Sequence, residues 1–295
     1  MMKLTIDHHE IEAKTGQTLL ELVRELGLDT DALSTRPLAA KIAGETFTLN
    51  YIPVRLKEEL DPSNPQRRAM AASGGQVKLL HYGDNTGRDA YTRTVQFVLF
   101  LALRQLYPGV TAKMNCTVGQ GLYIQVLSGD FDAAALKERV AALIAEDIPL
   151  IRKRITTAQA IDYFRADGQE DKARLLSYRT VPWFDVYSYG DFADYFYGEM
   201  MPSTGYITVW DIIPVDGGFM FIFPNPQNPD ELAPFNQMPN FFRVCNEGER
   251  WCQTLDCETV ADLNELVDSG KIRELIRVNE ALHEKSYSQV ADMIA

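Results

Sequence analysis

The order of local signals across residues 1–84 narrows the fold more than any other feature of this chain. The opening "KLTIDHHEIEA" alternates with a period of two and reads as one strand over residues 3–12. "TGQTLLELVRELGL" follows, with Leu19, Leu22, Val23 and Leu26 at helical spacing, Thr15 as the expected N-cap and Gly27 as the stop. "PLAAKIAGETFTLNYIPV" reads as two strands joined by a tight Ala-Gly-Glu turn. The polar "DPSNPQRRAMAASGGQ" is expected to be a mobile excursion, and "VKLLHYG" returns as a strand. Strand, helix, hairpin and closing strand describe a ubiquitin-like β-grasp module.

From Asp89 the texture changes. "RDAYTRTVQFVLFLALRQLYPG" is a long helix closed by Pro108 and Gly109, and "AKMNCTVGQGLYIQVL" alternates around Gly119 and Gly121 as a bent hairpin. "DAAALKERVAALIAEDI" places Leu136, Val140 and Leu143 on one helical face. "TTAQAIDYFRADGQEDKARLLSY" continues in helix. "WFDVYSYG", "GYITVWDIIPVDGGFMFIF" and "FFRVCNEG" read as strands, with a hairpin turn at Asp216-Gly217-Gly218. Helices from "TVADLNELVDSG" to "IRELIRVNEALHEKSYSQVADMIA" close the chain.

A length of 295 residues suits two modest domains better than one. The net charge of −12 argues against a broad electrostatic grip on nucleic acid and leaves room for a local patch, for which Arg152, Lys153 and Arg154 are candidates beside the reading of a solvated edge. The longest apolar run, residues 95–103, is too short to span a membrane and is ended by Arg104, and the N-terminus reads as a strand rather than a signal peptide. A soluble cytoplasmic protein without a membrane partner is expected. Cys116, Cys245, Cys252 and Cys257 form no CxxC pair and have no neighbouring His, so reduced cysteines and no zinc site are expected. His8, His9, His81 and His283 are scattered and do not share a spacing that makes a site.

The motifs "GRDAY", "LRQLYPG", "VGQGLYIQV" and "YGDFADYFYGEMMPSTGYI" resemble the N-terminal half of threonyl-tRNA synthetase. The resemblance implies an α+β protein: a TGS-type β-grasp domain over residues 1–84, an editing-like α+β domain over residues 85–235, and a C-terminal strand and helices over residues 236–295. It also implies where reactive groups belong. That editing domain carries a His-x-x-x-His pair on its long helix and a Cys and a His four apart in the later loop. Aligned on "AYTRTVQFVL" and "DYFYGEMMPSTG", those positions here are Arg93, Phe97, Phe196 and Met200. A guanidinium is no base near neutral pH and phenyl rings do no proton chemistry. The editing chemistry is therefore expected to be absent.

These losses, with "MPSTGY" and "EALHEK", resemble the bacterial uridine kinase-like proteins with an N-terminal TGS region. That resemblance implies a kinase domain in cis, using ATP and magnesium to phosphorylate a nucleoside. The chain itself contains no G-x-x-x-x-G-K-[ST], so no cofactor is expected within it and it reads as a truncation that lacks the phosphoryl-transfer part. The implied role is a non-catalytic, ligand-sensing or RNA-binding region. The alternatives are a free-standing enzyme that uses Asp191, Asp194 or Glu199 in a repurposed cleft, and a pure assembly module.

Residues 187–206, together with Arg93, hold the candidates. Arg93 could hold an anion or pair internally; Tyr187, Tyr189, Tyr195, Tyr197 and Tyr206 could stack a nucleotide or wall a core. Asp191, Asp194, Ser203 and Thr204 could meet a ligand or bond backbone in turns. A ligand site of Arg93, Tyr187, Asp191, Ser203, Thr204 and Tyr206 predicts an open cleft. The opposing arrangement has Phe97, Phe196 and Met200 in mutual contact and Arg93 paired within the protein.

Overall fold

The computed structural model describes residues 1–55, 65–119 and 121–294. Its N-terminus holds two strands where one was expected. Asp7 takes a left-handed φ of 52° and folds Met2–Ile6 (β1) back on His9–Ala13 (β2). The polar Asp-His-His run interrupts the apolar alternation, and Asp tolerates this backbone better than most residues. The helix Leu19–Glu25 (α1) is capped by Thr18, not Thr15. Gly16 turns the chain at a φ of 83°, and Thr18 then forms a capping box: its hydroxyl accepts from Glu21 N at 3.1 Å while the Glu21 carboxylate accepts from Thr18 N at 2.8 Å. Thr18→Ala is expected to cost about 1 kcal/mol. A urea-unfolding midpoint equal to that of the parent chain would show that the box carries no stability.

Ala39–Ile42 (β3) and Glu45–Phe47 (β4) join through Ala43 and Gly44, both left-handed as a tight hairpin requires. Pro65–Ala72 (α2) is a helix inside the stretch expected to be mobile, because Ala69 and Met70 bury there. Residues 61–64 of that expectation lie outside the described residues. Gln76–Leu80 (β5) completes a sheet of order β2-β1-β5-β3-β4, parallel only between β1 and β5. This is the β-grasp arrangement, and Leu4, Ile6, Leu19, Leu22, Val23 and Phe47 fill its core.

Asn85–Leu106 (α3) opens a larger α+β layer. It packs with Thr111–Val118 (β6), Gly121–Ser128 (β7) and Ala133–Ala145 (α4) around a second core. After Lys153–Thr156 (β8), Thr157–Ala166 (α5) and Glu170–Ser177 (α6), the strand Trp183–Tyr189 (β9) turns into Phe192–Asp194 (β10). The expected hairpin forms from Asp211–Val215 (β11) and Gly218–Ile222 (β12), giving an antiparallel sheet β11-β12-β7-β6. All five residues of β12 are buried. Pro224–Asn225 (β13) and Asn228–Leu232 (β14) form a short ribbon.

"FFRVCNEG" is not a strand. It lies in the helix Pro239–Thr254 (α7), where Phe242 and Glu249 bury two turns apart. A short aromatic run does not by itself separate strand from helix, and Pro239 at the first helical position presets the helical φ. Val260–Asp268 (α8) and Ile272–Ile294 (α9) follow. No residue of α9 is buried.

The chain divides into two compact units, residues 1–153 with 186–237, and residues 154–185 with 238–295. Each is assembled from two separated stretches, whereas the sequence reading has three contiguous domains with boundaries at 84 and 235. Both cores described above belong to the first unit. In the second, Arg154 pairs with Asp185 at 2.9 Å and Arg174 with Asp262 at 2.8 Å. No helix among the described residues is long and apolar enough to cross a membrane.

Candidate functional site

Arg93 and Phe97 lie one turn apart on the same face of α3, and the segment after β10 passes over them. That face is filled. Phe97 and Met200 have no exposed surface. The Phe97 ring meets Phe192 at 5.3 Å and Phe196 at 6.5 Å between centroids, and Phe196 meets Tyr187 at 6.4 Å. Edge-on aromatic groups of this kind are core packing. Arg93 lies across Gly198, where φ is 127° and a Cβ would sit 2.6 Å from the guanidinium carbon. Its Nη1 donates to the Glu199 carbonyl at 3.2 Å, and its Nη2 lies 3.9 Å from Asp89. Arg93 is thus an internal clamp on the loop backbone, three-quarters buried.

The charge at this locus comes from Glu199, whose side chain is 3% exposed. Oε1 accepts from Arg152 Nη1 at 2.7 Å and from Gln66 Nε2 at 2.8 Å, and Oε2 accepts from the Tyr187 hydroxyl at 3.4 Å. Arg152 Nη2 also donates to Gln66 Oε1 at 3.0 Å, closing a ring of polar contacts. Burial and the nearby carboxylate hold the Tyr187 phenol well above its usual value, so it stays a neutral donor. Both Glu199 oxygens are thus engaged within the chain.

The other candidates sit elsewhere. Ser203 donates to Asp147, a residue with a left-handed φ of 48° just past α4. Thr204 donates to Leu143 O at 2.7 Å and accepts from Ile148 N at 2.9 Å. Both hydroxyls tie the loop to the end of α4, as turn residues do. The Tyr206 hydroxyl donates to Asp29, 2.9 Å from Oδ1, while the Arg36 guanidinium lies 3.9 Å from the ring centroid. Its phenol is pushed up to about 12, chiefly by burial and then by Asp29. Asp194 accepts from Tyr195 N at 2.8 Å, and Asp191 is exposed at the β9–β10 turn. The sequence candidates therefore separate into four places: Arg93, Tyr187 and Glu199 together, Asp191 and Asp194 at the β9–β10 turn and the end of β10, Ser203 and Thr204 at α4, and Tyr206 at Asp29. Gln66 carries no local signal of its role, and Arg152 stands out in the sequence only as part of a charged run. The three residues of that run have separate partners: Arg152 Glu199, Lys153 the Ser188 hydroxyl at 3.1 Å, and Arg154 Asp185.

A second polar locus lies on the β-grasp module. The Arg55 guanidinium sits 5.5 Å from the centroid of the Tyr51 ring. The Tyr51 phenol is raised by burial and drawn back by the charges of Arg55 and Arg67. Arg67 Nη1 is buried without a hydrogen-bond partner among the described residues, and Arg68 beside it is exposed. Among the described residues no group of three His, Cys, Asp or Glu side chains is placed to hold a metal ion.

No protein-family model matches the chain. It is similar to threonine–tRNA ligases: 26% identical over 225 residues to that of Parabacteroides distasonis, covering 74% of this chain and 31% of the relative. The ligase of Natranaerobius thermophilus is 26% identical over 228 residues, 74% of this chain and 32% of the relative. That of Porphyromonas gingivalis is 29% identical over 150 residues, 49% and 23%. The chain thus spans about a third of the length of the first two relatives.

Proposed function

We propose that this chain is a non-catalytic, tRNA-synthetase-like module that acts by binding, with RNA as its ligand. The observation that carries the non-catalytic part is the filled face of α3, where Phe97 and Met200 are fully buried and Arg93 clamps backbone. The RNA part is supported by the arginines around Tyr51. Two guanidiniums near one tyrosine ring, Arg55 and Arg67, the second with a buried N–H that has no partner among the described residues, suit a phosphate and a stacked base, and they do so against a net charge of −12. We place the ligand there rather than at Arg93, whose guanidinium already donates to Glu199 O.

The test is filter binding of a tRNA transcript across a salt series. Binding is expected to weaken with salt, and Arg55→Ala with Arg67→Ala is expected to lower the magnitude of the log–log slope by about 1 for each phosphate that is no longer neutralised. Arg277→Ala, on α9, serves as the control. Failure to bind RNA at low salt, or equal weakening in the control, would remove this reading. The same sample is expected to leave mischarged threonyl-tRNA esters and nucleosides unchanged; turnover of either above background would show that the chain is an enzyme.

A second reading follows "MPSTGY" and "EALHEK": the module would serve a uridine kinase-like domain in cis that uses ATP and magnesium. The relatives named above are ligases and lend it no support. What favours it is that "EALHEK" lies on α9, whose Leu275, Leu282 and Val290 share one face with no buried residue. Codons after residue 295 that encode a phosphate-binding loop would support it, and a gene that continues into ligase sequence would exclude it.

A further inference from the structure

The end of α7 brings two cysteines together. Asp256 N donates to Gln253 O at 3.2 Å, Cys257 N donates to Cys252 O at 3.0 Å, and Asp256 has a left-handed φ of 49°. These are the two hydrogen bonds of a Schellman turn, in which the third residue before the cap and the second after it face each other. Here those two residues are Cys252 and Cys257. With a 3.0 Å bond between their backbones, standard bond lengths keep the two Cα atoms within about 7.2 Å of each other even if every bond were collinear. The ~120° angle at the carbonyl carbon, with a bend at the amide nitrogen, brings them inside the ~4.4–6.8 Å that disulfides span. Both side chains are partly exposed, so an oxidant can reach them. The Cys257 thiol is held up by burial, then by Asp262 and by Cys252, which is consistent with two neighbouring sulfurs. Cys245 lies two turns before Cys252 on the same helix, about 10 Å along the axis, and is out of reach of it.

We propose that Cys252 and Cys257 are a redox pair that closes to an intrachain disulfide under peroxide and reopens with thiol. One thiol gives up its proton, the thiolate sulfur attacks hydrogen peroxide, the O–O bond breaks, and a sulfenic acid forms as hydroxide leaves and takes up that proton as the first water. The second sulfur attacks the sulfenic sulfur; the S–S bond forms and hydroxide leaves, taking the remaining thiol proton as a second water. Two thiols are oxidised by two electrons and one peroxide is reduced to two waters. The closed ring spans only six residues of chain, so it constrains the unfolded state weakly, which makes the bond reversible rather than a permanent staple. Its effect is to pin the turn ahead of Thr259 and Asp262, the capping box of α8.

The folded chain is treated with hydrogen peroxide, quenched in acid, alkylated, digested and read by mass spectrometry. Cys252 and Cys257 are expected to lose their alkylation together, as an internal disulfide restored by dithiothreitol, while Cys116 and Cys245 stay alkylated. Cys245→Ser is expected to leave this unchanged, and Cys252→Ser to abolish it without producing a different internal disulfide. The preference is expected to disappear in urea. Oxidation of all four thiols at equal rates, pairing of Cys252 with Cys245, cross-linked chains, or the same preference in urea would each overturn the proposal.

Discussion

Replacing Phe97 by alanine is expected to destabilise the first unit by about 3–5 kcal/mol, the range for deleting a fully buried aromatic ring. Phe97 has no exposed surface and its ring meets Phe192 and Phe196, so its removal leaves a cavity walled by rings whose backbones belong to β10 and the following loop. Such walls collapse poorly. Chemical denaturation followed by tryptophan fluorescence measures the loss. A cost below about 1 kcal/mol would mean that the site collapses freely or that the cleft is open to solvent, and the packed reading of the lost editing positions would fall with it. Phe97→His restores the residue type implied by the threonyl-tRNA synthetase resemblance, but it buries an imidazole among phenyl rings. It is expected to lower stability and to create no hydrolytic activity.

The second large effect is expected at Glu199. Glu199→Ala leaves Arg152, Gln66 and Tyr187 facing a space with no acceptor. Breaking a buried pair on one side costs about 3–5 kcal/mol; the 24% exposure of the Arg152 side chain lets water screen it, which puts the expected loss near the lower end. Glu199→Gln keeps an acceptor for Gln66 and loses the charge, and should fall between the parent and the alanine variant. Asp191→Ala, at the exposed turn, should change stability by no more than about 0.5 kcal/mol. The comparison separates two roles. A structural Glu199 shows itself in the urea midpoint, whereas a proton-transferring one would leave the midpoint in place and remove an activity. An unchanged midpoint for Glu199→Ala would revive the alternative of an enzyme with a repurposed cleft.

Together these two sites explain how the loop after β10 holds its shape. The rings and thioether at Phe97, Phe196 and Met200 fill the volume that smaller polar side chains would leave open. Arg93, Arg152 and Gln66 then fix the backbone and the single buried carboxylate. Here Arg93 and Glu199 are both held by partners within the chain, which is why the proposed function rests on the arginines around Tyr51.

Much of the architecture follows from local rules legible in the sequence. The hairpin at Asp216-Gly217, the long helix closed at Pro108-Gly109 and the amphipathic face of Leu136, Val140 and Leu143 each follow from a few neighbouring residues. The β-grasp order follows because short connections allow few ways to cover one helix with one sheet. Where local signals compete, the chain's neighbours along the sequence do not decide. The cap of α1 is the exception: Glu21 three residues after Thr18 completes a capping box with it, a local signal that the choice of Thr15 overlooks. "FFRVCNEG" satisfies strand and helix alike until a neighbour buries Phe242 and Glu249.

What only the tertiary structure decided is which polar atoms meet. Gln66 and Glu199 are 133 residues apart in the chain, and Tyr206 and Asp29 are 177 apart. No periodicity or motif links such pairs, because a hydrogen bond depends on three-dimensional distance and direction, while a sequence pattern records only neighbours along the chain. Whether Arg93 faces an open cleft or a filled one is undecided by sequence for the same reason. The answer depends on how three bulky side chains from α3 and the loop share a volume, and that volume exists only once the chain has folded.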